Sequence, residues 1–162
     1  MSTSSTQSDE LYDLYRELIL DHARSPRHFG RLDDATHTAE GINPLCGDKL
    51  KVYFSVDDDK RITAASFEGS GCAISVASAS LLTDTVMGLP VEKAESIFES
   101  VTKRLTTDNT GAGQGIDLEE PLAKLRALDG VREFPSRVKC ATLAWHALHS
   151  ALSNRSTPAS TE

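Results

Sequence analysis

Long apolar runs are missing from this chain. Nothing in its 162 residues approaches the ~18 consecutive apolar positions that a membrane span needs. Met1–Ser8 carries neither the basic nor the apolar region of a secretion signal. The expected location is therefore cytoplasmic, with no membrane partner. Positive charge is also short: 17 Lys and Arg stand against 24 Asp and Glu, a net charge of −7. That excludes broad binding to phosphate backbones, so no nucleic-acid partner is expected. Cysteine is limited to Cys46, Cys72 and Cys140. An odd number in a reducing compartment excludes a disulfide framework and points to metal or thiol chemistry. Other common site patterns are incomplete. Gly111–Gly115 lacks the Lys-Ser/Thr of a phosphate loop, and Asp57-Asp58-Asp59 lacks the Gly and distal Glu of a calcium loop.

What remains is ordinary globular material, 39% hydrophobic and 25% charged. Residues 1–8 and 153–162 are Ser/Thr-rich and read as disordered tails around one domain over 9–152. Leu11, Leu14, Tyr15, Leu18, Ile19 and His22 form one stripe of an amphipathic helix that Pro26 ends. From Leu50 the period changes to two. Leu50, Val52, Phe54 and Val56 mark a strand, Asp57–Lys60 a turn, and Arg61–Glu68 the returning strand, broken at Gly69-Ser70-Gly71. A third strand fits Thr36–Ile42. Helical stripes follow. Ile74, Ala77, Ser78, Leu81, Leu82 and Val86 form one; Ala94, Ile97, Phe98, Val101 and Leu105 form another, beginning at Pro90; Pro121–Leu128 is a short helix. Val138, Ala141, Trp145, Leu148 and Leu152 make the last. Helix, small antiparallel sheet of about three strands, then several helices is an α+β order.

Each cysteine falls at a break between elements, where scaffolds present ligands. Cys46 precedes the first clear strand, Cys72 starts a helix, and Cys140 lies near the start of the last helix, where the dipole favours thiolate. Asp48 is separated from Cys46 by Gly47 alone, so carboxylate and thiolate can turn to one centre. Cys46, Asp48, Cys72 and Cys140 form an S3O donor set that suits tetrahedral zinc, while thiolates also suit iron–sulfur clusters. The bland reading is three small buried hydrophobes, and on ligand counting alone the two readings stand about even. Among the five histidines, His22 continues an inner helix face as a packed residue, and His28 and His37 lie in polar loops. His146 lies ~9 Å along the helix axis from Cys140, too far to share a metal with it.

Motifs in order narrow this choice. Leu14-Tyr15-Arg16-Glu17-Leu18-Ile19-Leu20-Asp21-His22 with Ser25-Pro26-Arg27-His28-Phe29-Gly30, Asn43-Pro44-Leu45-Cys46-Gly47-Asp48, Gly69-Ser70-Gly71-Cys72-Ala73-Ile74-Ser75 and Arg137-Val138-Lys139-Cys140-Ala141-Thr142 resemble SufU-type proteins of the IscU-like (NifU N-terminal) superfamily. The resemblance spans Leu11 to Leu152. It implies a compact IscU-like α+β fold and a role in iron–sulfur cluster assembly. IscU scaffolds carry His immediately before the third Cys, where this chain has Lys139, a poor ligand. Their Leu-Pro-Pro-Val-Lys signal has no match in Val131–Arg137, and residues 102–120 resemble the SufU insertion.

The SufU resemblance implies Zn2+ held by Cys46, Asp48, Cys72 and Cys140. It also implies a SufS-type, PLP-dependent cysteine desulfurase as sulfur donor, with downstream SUF machinery beyond it. In that scheme a desulfurase histidine takes the place of Cys46 on zinc, and the freed Cys46 thiolate accepts persulfide sulfur. Arg137 matches a family arginine near the site. The competing readings are a scaffold assembling a [2Fe–2S] cluster on the same ligands, a purely structural zinc domain, and a cysteine hydrolase, for which no histidine pairing is evident.

Overall fold

The structure is a computed structural model and describes residues 16–44, 47–106, 125, 128, 135–153 and 159–160. Helix α1 runs through residues 16–24 and stops ahead of Pro26, which cannot continue it. Ile19 and His22 face inward as their spacing requires; Leu11, Leu14 and Tyr15 lie outside the described residues. Strands β1 (His37–Asn43), β2 (Asp48–Val56) and β3 (Ile62–Ser70) form the antiparallel sheet. Alternation sets its faces: Ala39, Leu50, Val52, Phe54, Ala65 and Phe67 point to the core. The Asp57–Lys60 turn is closed by the Asp57 carboxylate, which accepts the N–H groups of Asp59 and Arg61 at 3.0 and 2.9 Å. These acids thus build a turn.

Two strand ends differ from expectation. Gly69-Ser70 does not break β3, because Lys49 and Leu50 of β2 continue the ladder opposite them. Residues 159–160, expected in a polar tail, form a two-residue strand β4 (Ala159–Ser160) parallel to Gly41–Ile42. An open sheet edge recruits backbone N–H and C=O groups whatever side chains they carry. The order is β3-β2-β1-β4.

Among the described residues, two further helices cover the inner face and a third lies behind them. Helix α4 (Pro135–Leu152) lies across β1 and β2, and α2 (Ala73–Val86) packs on β3 and α4. Helix α3 (Val91–Thr106) backs onto α4 through Ala94, Ile97, Val101 and Leu105. Residues 102–106 are therefore the end of α3; 107–120 lie outside the described residues, as does most of Pro121–Leu128. Leu125 and Leu128 are buried in the core.

Helix α2 departs from a one-sided stripe. Ile74 is only half-buried, whereas Ser75, Ala79, Ser80, Thr83 and Thr85 are buried together with Ala77, Ser78, Leu81, Leu82 and Val86. It is a central helix, and its small residues let sheet and helices approach it. Its hydroxyls find partners on other segments. Ser78 donates to the Ala141 carbonyl and accepts from Trp145 Nε1 at 3.1 Å. Ser80 Oγ accepts the Arg27 N–H at 2.8 Å and meets His22 Nδ1 at 2.7 Å. His22 is accordingly a packed histidine. No helix among the described residues is long and apolar enough to cross a membrane.

Candidate metal centre

The end of the sheet, the start of α2 and the second turn of α4 converge on one point. Asp48, Cys72 and Cys140 each offer one ligand atom there, and these atoms lie within 4.8 Å of one another. Cys46 lies outside the described residues, on the connection between Asn43 and Asp48.

Asp48 opens β2 and is only 1% exposed. A carboxylate so deeply buried must be paired. Its Oδ1 accepts the Cys72 N–H at 2.8 Å, and its Oδ2 faces Asn43 Nδ2 at 3.5 Å. Cys72 is the residue capping the amino end of α2. Burial pushes its thiol up, but hydrogen bonds from the Ser75 backbone and hydroxyl and from Cys140 outweigh this and hold it below the ordinary thiol range, against the opposing charge of Asp48. Cys140 is wholly buried. It is the sixth residue of α4, deeper than the first-turn position expected, so its sulfur is held by neighbours. It approaches the Ser136 carbonyl at 3.7 Å and receives Asn43 Nδ2 at 3.6 Å.

Arg137 precedes Cys140 by three residues, on the same side of α4. The charge of Cys72 first, and hydrogen bonding to Cys72 and Cys140, raise its guanidinium pKa further. The side chain is exposed. Once deprotonated, two thiols and a carboxylate this close repel one another, and a cation relieves the repulsion. The donor chemistry fits zinc, which takes sulfur and oxygen ligands at about 2.0–2.3 Å and therefore about 3.3–3.8 Å apart.

Two supporting residues had no assigned role in the sequence reading, Asn43 and Gly71. Each sits inside a cysteine motif, and burial beside a ligand is the signal that distinguishes it. A Cβ on Gly71 would stand 2.6 Å from Asp48 Oδ1. Gly71→Ala is therefore expected to lower zinc affinity on the order of tenfold while leaving the fold intact. Chelator competition beside circular dichroism checks this; unchanged affinity would show that the carboxylate does not depend on Gly71. His146 is not part of the centre: it packs edge-on against Phe98 at 5.4 Å, and burial lowers its pKa.

Comparison with known proteins agrees with this assembly. The family model for the NifU-like N-terminal domain matches residues 14–141, a span that includes Cys46, Asp48, Cys72, Arg137 and Cys140. The iron–sulfur cluster assembly scaffold protein IscU of Thermotoga maritima is 39% identical over 145 residues, covering 90% of this chain and 96% of that protein. The zinc-dependent sulfurtransferase SufU of Bacillus subtilis is 39% identical over 135 residues, covering 83% and 86%. A crystal structure from Fervidobacterium islandicum AW-1, described as a cluster assembly scaffold for the SUF system (FiSufU), superposes with a TM-score of 0.74 at 32% identity, covering 84% of this chain and 94% of that one. The chain thus belongs to the NifU-like N-terminal domain family, among the IscU and SufU proteins of iron–sulfur cluster assembly.

Proposed function

We propose that this chain works in iron–sulfur cluster assembly as a zinc-dependent sulfur acceptor, taking persulfide sulfur through Cys46 from a SufS-type cysteine desulfurase. The observation that carries the reading is the convergence of Asp48, Cys72 and Cys140 on one point. Cys46 is the remaining sulfur of the proposed ligand set. When bound, zinc keeps thiols deprotonated at neutral pH and shielded from oxidation. The chain's own groups do the rest. The Cys46 thiolate attacks the terminal sulfur of the donor's cysteine persulfide, forming a new S–S bond as the donor's S–S bond breaks. The donor cysteine leaves as thiolate, and the persulfide on Cys46 carries the sulfur away. Arg137 offers a positive charge at the sulfur pair, where anionic sulfur accumulates.

The relatives divide at equal identity between a scaffold and a sulfurtransferase. Lys139 favours the sulfurtransferase, because an ammonium beside Cys140 supplies no ligand where IscU scaffolds have histidine. The scaffold reading, a [2Fe–2S] cluster on the same residues, is the alternative. Cysteine turnover by a SufS-type desulfurase, with substoichiometric zinc-loaded protein and a thiol reductant, separates them. Strong stimulation that disappears on zinc removal supports sulfur acceptance. No stimulation by fully loaded protein, together with a stable visible-absorbing cluster passed to an apo-protein, supports the scaffold.

A further inference from the structure

We infer that Asn43 is a positioning residue of the metal centre, whose single amide NH2 group spans the carboxylate of Asp48 and the sulfur of Cys140. The inference rests on the proposed metal centre and adds a residue to it. Asn43 ends β1, is wholly buried and stands opposite Asp48 in the ladder. Its Nδ2 lies 3.5 Å from Asp48 Oδ2 and 3.6 Å from Cys140 Sγ. Its Oδ1 has no hydrogen-bond partner among the described residues.

These facts fix the orientation of the amide. Turned over, its oxygen would face a carboxylate and a sulfur, acceptor against acceptor. An orphaned buried oxygen is costly, and an apolar side chain of the same shape would avoid it. What the amide alone supplies is two N–H donors aimed at two groups that are anionic when they hold a metal. The two ligands come from different elements, β2 and α4. One group anchored on β1 therefore sets the distance between them. An N–H donor on a thiolate also withdraws charge from the sulfur, which raises the energy of sulfur-to-metal charge transfer.

The test uses the full chain, with Co2+ and 113Cd2+ as probes. Asn43→Leu keeps the side chain's outline and removes both donors. Its Co2+ form is expected to show sulfur-to-metal charge transfer at lower energy than wild type, and to lose Co2+ to a chelator about tenfold faster or more. In 15N-labelled wild type, the Asn43 side-chain amide is expected to couple to 113Cd through the hydrogen bond. A role confined to packing would lower the melting temperature and leave both spectra unmoved. An unshifted charge-transfer band with an unchanged release rate in folded Asn43→Leu overturns the inference. So does an Asn43 amide without coupling in Cd-loaded wild type, which decides the matter alone if the variant does not fold. If wild type binds neither ion, the metal centre itself falls and takes this inference with it; if it binds both and Asn43 is silent, only the inference falls.

Discussion

Cys46→Ala is expected to reduce desulfurase stimulation by about 100-fold or more, to background, while most of the zinc remains bound. The first half follows from the chemistry, since removing an attacking nucleophile leaves nothing to form the new S–S bond. The second half follows from the geometry. Asp48, Cys72 and Cys140 are brought together by contacts of Asn43, Ser75 and the Cys72 N–H. Three protein ligands suffice for zinc when a water or another donor takes the fourth place. Metal content and the mass of the persulfide adduct would be read from the same sample. Persulfide appearing on Cys46→Ala would transfer the acceptor role to another cysteine.

Gly69→Ala is expected to destabilise the metal-free chain by about 3 kcal/mol or more, lowering its melting temperature by roughly 6–12 °C. Two independent causes combine. Gly69 has φ +135°, which L-residues rarely adopt, and its added Cβ would lie 2.2 Å from the Lys49 carbonyl oxygen and 2.8 Å from Leu50 Cα. Both contacts are with backbone, so no side-chain rotation relieves them. Thermal denaturation checks this; a change within about 1 kcal/mol would mean that β2 and β3 separate there at little cost. The damage would reach the centre as well, because Lys49 adjoins Asp48 and Gly69 lies three residues before Cys72.

Legibility in the sequence followed how one-sided each element is. Helix α3 was readable because Ala94, Ile97, Val101 and Leu105 face a core and the opposite side faces water. Strands β2 and β3 alternate for the same reason. Helix α2 was only half readable: a helix buried all round has no polar face to reveal its period, so Ser75 and Ser80 fell outside the stripe that its apolar residues mark. The end of β3 was obscured because glycine signals a break locally, whereas here it admits close packing against Lys49 and Leu50. Asp48, Cys72 and Cys140 could be picked out as candidates because thiols and carboxylates declare their chemistry, and the fold brings the three together. Asn43 and Gly71 could not, since an amide and an absent side chain matter only through what stands beside them.

The serines of α2 have a mechanical consequence. Ser75 Oγ lies 3.4 Å from the Cys140 carbonyl, Ser78 bridges Ala141 and Trp145, and Ser80 joins Arg27 and His22. These bonds run to two different helices and a loop. A slide of α2 along its axis by about 1 Å would strain all of them together. The helix is pinned like a keyed shaft, and Cys72 at its head cannot give way by moving the rod behind it.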